Sequence, residues 1–137
     1  MKHRVLYYMV DGSTEAGQAV LDTIEGDQIE LVGRAHEPNV CPTAEQLIGC
    51  EGFVGEFGPV DDACADAMAA AGMCIVSNMS IGLNHVAVDR LASHGIIVTN
   101  CPGYCSDDVA QHTIALMLDL MRQVTFLNRG VRDGAWN

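Results

Sequence analysis

The stretch best equipped for chemistry is Ser77 to Val88, SNMSIGLNHVAV, where Gly82 stands between an apolar run and a helix-forming segment. Without a Cβ at that point, consecutive main-chain N–H groups can close on an anion and form a small nest for a carboxylate. Taken alone, a strand-to-helix turn that merely needs glycine accounts for the same residues. His85 and His94 have the titration range of an acid/base group, but the sequence identifies no carboxylate partner for either. Cys101, Cys105 and His112 do not make a metal site, because C-x3-C with one histidine lacks a fourth ligand and the spacing zinc uses; no metal is expected. Gly12 to Gly17, GSTEAG, imitates a phosphate-binding turn at the wrong spacing and reads as a capped turn. The G-x-G-x-x-G that follows a strand and opens a helix is absent.

The elements that must position these residues follow from hydrophobic period and punctuation. Arg4 to Val10 reads as a strand, Asp11-Gly12-Ser13 as a capped turn, and Ala16, Val20, Leu21 and Ile24 as the apolar face of a helix. A second strand, Gln28 to Arg34, leads to Thr43-Ala44-Glu45-Gln46, a capping box that opens a short helix through Leu47. Gly52 to Phe57 reads as a third strand, Pro59 and Asp61 open an alanine-rich helix through Ala71, and Met73 to Ser77 is a fourth strand. Val88 to His94 forms a further helix stopped by Gly95, and Ile96 to Thr99 a fifth strand that ends before Pro102. Strands alternating with helices at this spacing predict an α/β fold: a flavodoxin-like parallel five-stranded sheet with helices on both faces.

Beyond Pro102 the pattern changes. Ser106 is expected to cap a crossover helix whose first turn holds Asp107 and Asp108, matched to the positive end of the dipole. Its body, IALMLDLM, is polar only at Asp119, so it should pack against something besides its own domain. Asn128 to Asn137 reads as a polar tail. The expected organisation is a domain over residues 1–103 and an interdomain or dimerisation helix with tail over 104–137. Self-association through Ser106–Arg122 and the tail is expected, because a bare IALMLDLM surface would otherwise face water.

Composition narrows the partners. The net charge of −11 repels phosphate backbones and anionic membranes, so neither nucleic acid nor a membrane is an expected partner. A hydrophobic content of 49% with mean hydropathy +0.17 describes a globular chain. No apolar run reaches the length of a membrane span, and the start, MKHRVLYYMV, is too short for a secretion signal. Six scattered cysteines read as buried free thiols, which suits a reducing cytoplasm.

Residues 76 to 103, VSNMSIGLNHVAVDRLASHGIIVTNCPG, resemble the D-isomer-specific 2-hydroxyacid dehydrogenase family, which includes phosphoglycerate dehydrogenases and C-terminal-binding-protein relatives. The family's substrate domain carries S-x-x-G-x-G-x-(D/N)-x-(I/V)-D, a short helix, and G-I-x-V-T-N-x-P. The similarity runs on through Pro102-Gly103-Tyr104-Cys105-Ser106, Val109-Ala110-Gln111-His112-Thr113 and Asn128-Arg129-Gly130-Val131-Arg132 to Trp136. Three positions depart from it: Ser80 replaces the first loop glycine, Ala87 the aspartate, and Asn78 a residue often arginine in relatives.

The resemblance implies that Ile81 and Gly82 hold a substrate carboxylate through backbone amides, with Asn78 and Asn84 as side-chain donors. It implies that Val109 and Thr113 border the nicotinamide side of the cleft, although for an isolated domain helix packing and a hydroxyl bonded to its own backbone is the preferred reading. The complete enzyme would pass hydride between NAD(H) and a 2-hydroxy or 2-keto acid. In the family, the acid/base histidine, its glutamate and the substrate-clamping arginine follow the counterpart of Trp136, as does the NAD-binding domain. The chain is therefore expected to supply the substrate half of the site, to need a separate NAD-binding domain, and to be inactive alone with no cofactor of its own. The alternative is a non-catalytic, dimerising binding or assembly module with the same fold.

Overall fold

The computed structural model describes residues 2–24, 28–56 and 58–135; Phe57, at the end of the predicted third strand, and Trp136 lie outside the described residues. The chain divides into two compact units, Met1–Pro102 and Gly103–Asn137.

The first unit holds five parallel strands, β1 (His3–Met9), β2 (Ile29–Ala35), β3 (Gly52–Gly55), β4 (Ile75–Asn78) and β5 (Ile97–Thr99), in the order β2-β1-β3-β4-β5. Between them run α1 (Glu15–Leu21), α2 (Ala44–Leu47), α3 (Asp62–Ala70) and α4 (Val88–Ser93). This is the flavodoxin-like alternation the sequence predicts, with β1 at the switch of strand order.

Side chains alternate across each strand, and the register aligns Leu6, Phe53 and Val76 on one face. That face is fully buried with Tyr8 against Leu47 of α2, Cys64, Ala65 and Met68 of α3, and Leu91 of α4. Each large side chain removed from water contributes about 1.5–3 kcal/mol. The opposite face is clad differently. There α1, none of whose residues is buried, leaves an apolar recess of about 420 Å³ lined by Tyr7, Ala16, Val20, Leu31, Val54 and Met79. Gly12, at φ +69°, and Gly33 interlock where the first turn crosses β2. A Cβ on Gly33 would lie 2.2 Å from the Gly12 carbonyl oxygen, and one on Gly12 would lie 2.6 Å from the Ala35 nitrogen.

Two predicted caps form. Thr43 and Gln46 satisfy each other's main-chain N–H groups, and the Asp61 carboxylate accepts from the Cys64 N–H at 2.8 Å. Helix α1 differs from expectation: it stops at Leu21, leaving Ile24 outside and exposed. The Asp11 carboxylate accepts from the Ser13 N–H at 3.0 Å, so it closes the turn and does not cap the helix.

The second unit consists of α5 (Ser106–Arg122) and α6 (Val124–Arg132). Ser106 is the first helical residue and Cys105 the cap position, so the predicted Ser106 cap is displaced by one residue. The predicted polar tail is also corrected, since Asn128 to Arg132 belong to α6, whose Val124, Leu127 and Val131 recur at helical spacing. Gln123, at φ +52°, separates the two helices. Asp119, the polar exception in the apolar run, accepts from the Thr125 N–H at 2.7 Å and the Thr125 hydroxyl at 3.0 Å, capping the start of α6. Among the described residues, no helix is long and apolar enough to cross a membrane.

Candidate functional site

β4 delivers residues 79–87 to the carboxyl edge of the sheet, where ligands of open α/β sheets bind. The loop is anchored at its start by the Met79 N–H, which donates to the Gly55 carbonyl at 2.9 Å. At its end, Ala87 N–H donates to Val60 C=O at 2.7 Å and Val60 N–H to His85 C=O at 2.9 Å. Between these anchors, four successive carbonyls are engaged from within the unit. Ser80 C=O accepts from the Cys101 N–H at 3.1 Å, Ile81 C=O from the Asn100 amide at 2.8 Å, and Leu83 C=O from the Val86 N–H at 2.9 Å. Gly82 C=O accepts from both the Asn78 amide, at 3.0 Å, and the Ser80 hydroxyl, at 2.9 Å.

A trans peptide is planar and its C=O and N–H point opposite ways, so clamping a carbonyl directs the next residue's N–H away from the clamp. The N–H groups of Ile81, Gly82 and Leu83 are directed in this way, and none donates to another described residue. Ile81 and Gly82 are exposed. Gly82 has no positive φ, and a Cβ built on it would meet nothing within 4 Å. Neither backbone strain nor internal crowding therefore demands glycine here, and the space in front of residue 82 is open.

The other candidates are placed as follows. Asn78 is 2% exposed and its amide is spent inside the loop, donating to the Ser80 hydroxyl at 2.5 Å as well as to Gly82, while its Oδ1 accepts from His85 Nε2 at 3.2 Å. Asn84 is exposed and lines, with His85, Asp61 and Asp62, a shallow cavity of about 510 Å³ at the start of α3. His85 is thus tied to Asn78. His94 has a carboxylate partner that the sequence did not reveal: Asp66 Oδ1 lies 2.7 Å from its Nε2 and 2.6 Å from Arg90 Nε, with Oδ2 2.9 Å from Arg90 Nη2. The Arg90 and His94 hydrogen bonds lower the Asp66 pKa to about 2. This clamp joins α3 to α4, and His94 follows the loop by a helix of roughly 9 Å, so it serves helix packing and not the loop. Ala87 occupies the cap position of α4 with no side-chain cap, the structural cost of the missing aspartate. In the second unit, Val109 is exposed and the Thr113 hydroxyl donates to the Val109 carbonyl at 2.7 Å, the ordinary helix back-bond.

Asn100 carries a role at the loop that sequence reasoning passed over. It was visible only as one residue of a V-T-N-x-P pattern, and its partner lies nineteen positions earlier.

Residues 9–133 match the family model described as D-isomer specific 2-hydroxyacid dehydrogenase, catalytic domain. The chain belongs to that family. It is 30% identical over 113 residues to a D-lactate dehydrogenase of Streptococcus agalactiae serotype III (strain NEM316), a match covering 82% of this chain and 34% of the relative. A D-3-phosphoglycerate dehydrogenase of Bacillus subtilis (strain 168) is 29% identical over 115 residues, covering 83% of this chain and 21% of that protein. The fold is shared with the D-lactate dehydrogenase of Aquifex aeolicus complexed with NAD and lactic acid, at TM-score 0.75 and 18% identity, over 97% of this chain and 38% of that one. The family member described here thus spans about a third or less of the length of these curated relatives. Among the described residues no glycine fingerprint opens a helix, and the Thr113 hydroxyl donates within its own helix.

Proposed function

We propose that this chain is the substrate-holding part of an NAD-dependent D-2-hydroxyacid dehydrogenase, and that the N–H groups of Ile81 and Gly82 bind the carboxylate of a 2-hydroxy or 2-keto acid. The observation that carries this reading is the loop in which carbonyls 80 to 83 are engaged from within while the intervening N–H groups have no acceptor among the described residues. Hydrogen bonds from such amides to a charged acceptor are worth about 1.5–3 kcal/mol each, enough to hold a small acid despite the net charge of −11. In the complete enzyme, nicotinamide chemistry converts the C2 hydroxyl and carbonyl forms. This chain contributes binding and orientation, and residues 104–137 link or pair the domains. Only Cys50 and Cys64 of the six free cysteines are buried, and Cys74 and Cys101 are exposed, which corrects the expectation of buried thiols; we place the chain in a reducing cytoplasm on the unpaired state of the thiols.

Titrating lactate into the isotope-labelled chain tests the reading. The amide resonances of residues 80–84 should shift saturably, while NADH-dependent reduction of pyruvate or glyoxylate by the chain alone should be undetectable. Absence of any shift in that loop refutes the site, and clear turnover refutes the division of labour.

One observation favours a second reading, a non-catalytic dimerising module: no residue of α5 or α6 is buried, and Leu120, Met121 and Phe126 are each more than two thirds exposed. Sedimentation decides it. A stable dimer without lactate affinity supports the module, and a monomer with α5 ordered refutes it.

A further inference from the structure

We infer that Asn100 is a positioning residue for acid binding, acting through the Ile81 carbonyl to aim the Gly82 N–H, and that Asn78, held by His85, does the same for the next peptide. The inference rests on the carboxylate-binding reading of the loop and goes beyond it by naming the side chains that orient the grip.

The Ile81–Gly82 peptide has one internal tether, the Asn100 Nδ2–H donated to the Ile81 oxygen at 2.8 Å. The plane is rigid, so this bond fixes where the Gly82 N–H points. The Gly82–Leu83 peptide is tethered by Asn78 Nδ2 and the Ser80 hydroxyl on the Gly82 oxygen. An amide side chain can be turned over, exchanging its oxygen and nitrogen. Here the choice is made by the Gly82 oxygen, which only accepts and so takes Asn78 Nδ2; Oδ1 is then left to accept from His85 Nε2. Turned over, Asn78 would set its oxygen against the Gly82 oxygen and lose that bond. Asn78 is therefore a brace within the loop and not a ligand of the acid. The Ser80–Ile81 peptide is tethered by main chain, the Cys101 N–H, so Asn100, and Asn78 together with Ser80, are the positions where a side chain controls the grip.

Asn100 is exposed, so its replacement leaves the core untouched, whereas replacing the buried Asn78 endangers folding. The experiment compares Asn100→Ala, Asn100→Asp and His85→Ala with the unaltered chain, following amide nitrogen shifts with and without lactate, together with the melting temperature. Asn100→Ala should move the Gly82 nitrogen resonance, which reports hydrogen bonding at the preceding carbonyl, and weaken lactate about tenfold with little change in melting temperature. Asn100→Asp, which cannot donate, should weaken it at least as far. His85→Ala should move the Leu83 nitrogen resonance and weaken lactate less. His85→Gln, which restores a donor, should recover part of the loss. If the unaltered chain binds lactate and Asn100→Ala binds equally well, the positioning role is overturned while the site stands. If the unaltered chain does not bind, both fall. A loss of affinity matched by a proportionate loss of stability, with the Gly82 resonance unmoved, also overturns it.

Discussion

Replacing Gly82 by alanine separates a glycine kept for folding from one kept for a ligand. Residue 82 is not in the left-handed region, and an added Cβ would meet no atom within 4 Å, so the folded chain should accept the methyl. At such positions alanine restricts the unfolded chain and raises stability by about 0.4–1 kcal/mol. Binding should move the other way, because a methyl on the residue whose own N–H grips the acid crowds the approach of a carboxylate. Losing one hydrogen bond to a carboxylate costs about 1.5–3 kcal/mol, and at about 1.4 kcal/mol per tenfold this is a fall in lactate affinity of roughly 10- to 100-fold. Urea denaturation and calorimetric titration of the same preparation measure both quantities. Lactate affinity equal to that of the unaltered chain would refute the argument. So would destabilisation beyond about 2 kcal/mol, which would show that the turn itself requires glycine.

Three further outcomes are expected. Ala87→Asp should add about 0.5–1 kcal/mol in chemical denaturation by capping α4; no gain would mean that the Ala87 ψ of 68° denies the cap its geometry. Asp66, lowered to about 2 by Arg90 and His94, contributes stability that is present above its ordinary carboxylate range near 3.8 and lost as pH falls toward 2. Asp66→Asn should flatten stability against pH in that window, and an unchanged slope would place the acid sensitivity elsewhere. Burial pushes the Cys64 thiol up to about 12 and raises Cys50, so alkylation at about pH 8 should modify the exposed Cys74 and Cys101 and spare Cys64 and Cys50; rapid loss of the Cys64 thiol would show that the sheet–helix core opens readily.

Local chemistry was legible in the sequence wherever partners are near neighbours. The Thr43–Gln46 box and the Asp61 cap need only three residues of spacing, and strand–helix alternation predicted the parallel five-stranded sheet. The Ile81-Gly82 turn was found by its glycine and its flanking pattern. Pairings across the fold carry no such signal. Asp66 meets residues 24 and 28 positions away, and Asn100 reaches back nineteen to Ile81. Asn78 looked like a donor for a ligand because its type permits that; only its burial shows the amide already committed. Helix α6 did have a signal, Val124, Leu127 and Val131, which the surrounding charges and Gly130 obscured. Ser106 stands one residue inside the helix, with Cys105 at the cap position.

The meshing of Gly12 with Gly33 bears on how this chain can diverge. Either residue gaining a side chain drives it into main-chain atoms of the other's segment, and no compensating change at the partner creates room, since the partner has nothing left to shed. Mutational drift at the two positions is therefore blocked jointly, so a library built to retarget the protein should leave both fixed and spend its diversity on the exposed positions around the Ile81 turn.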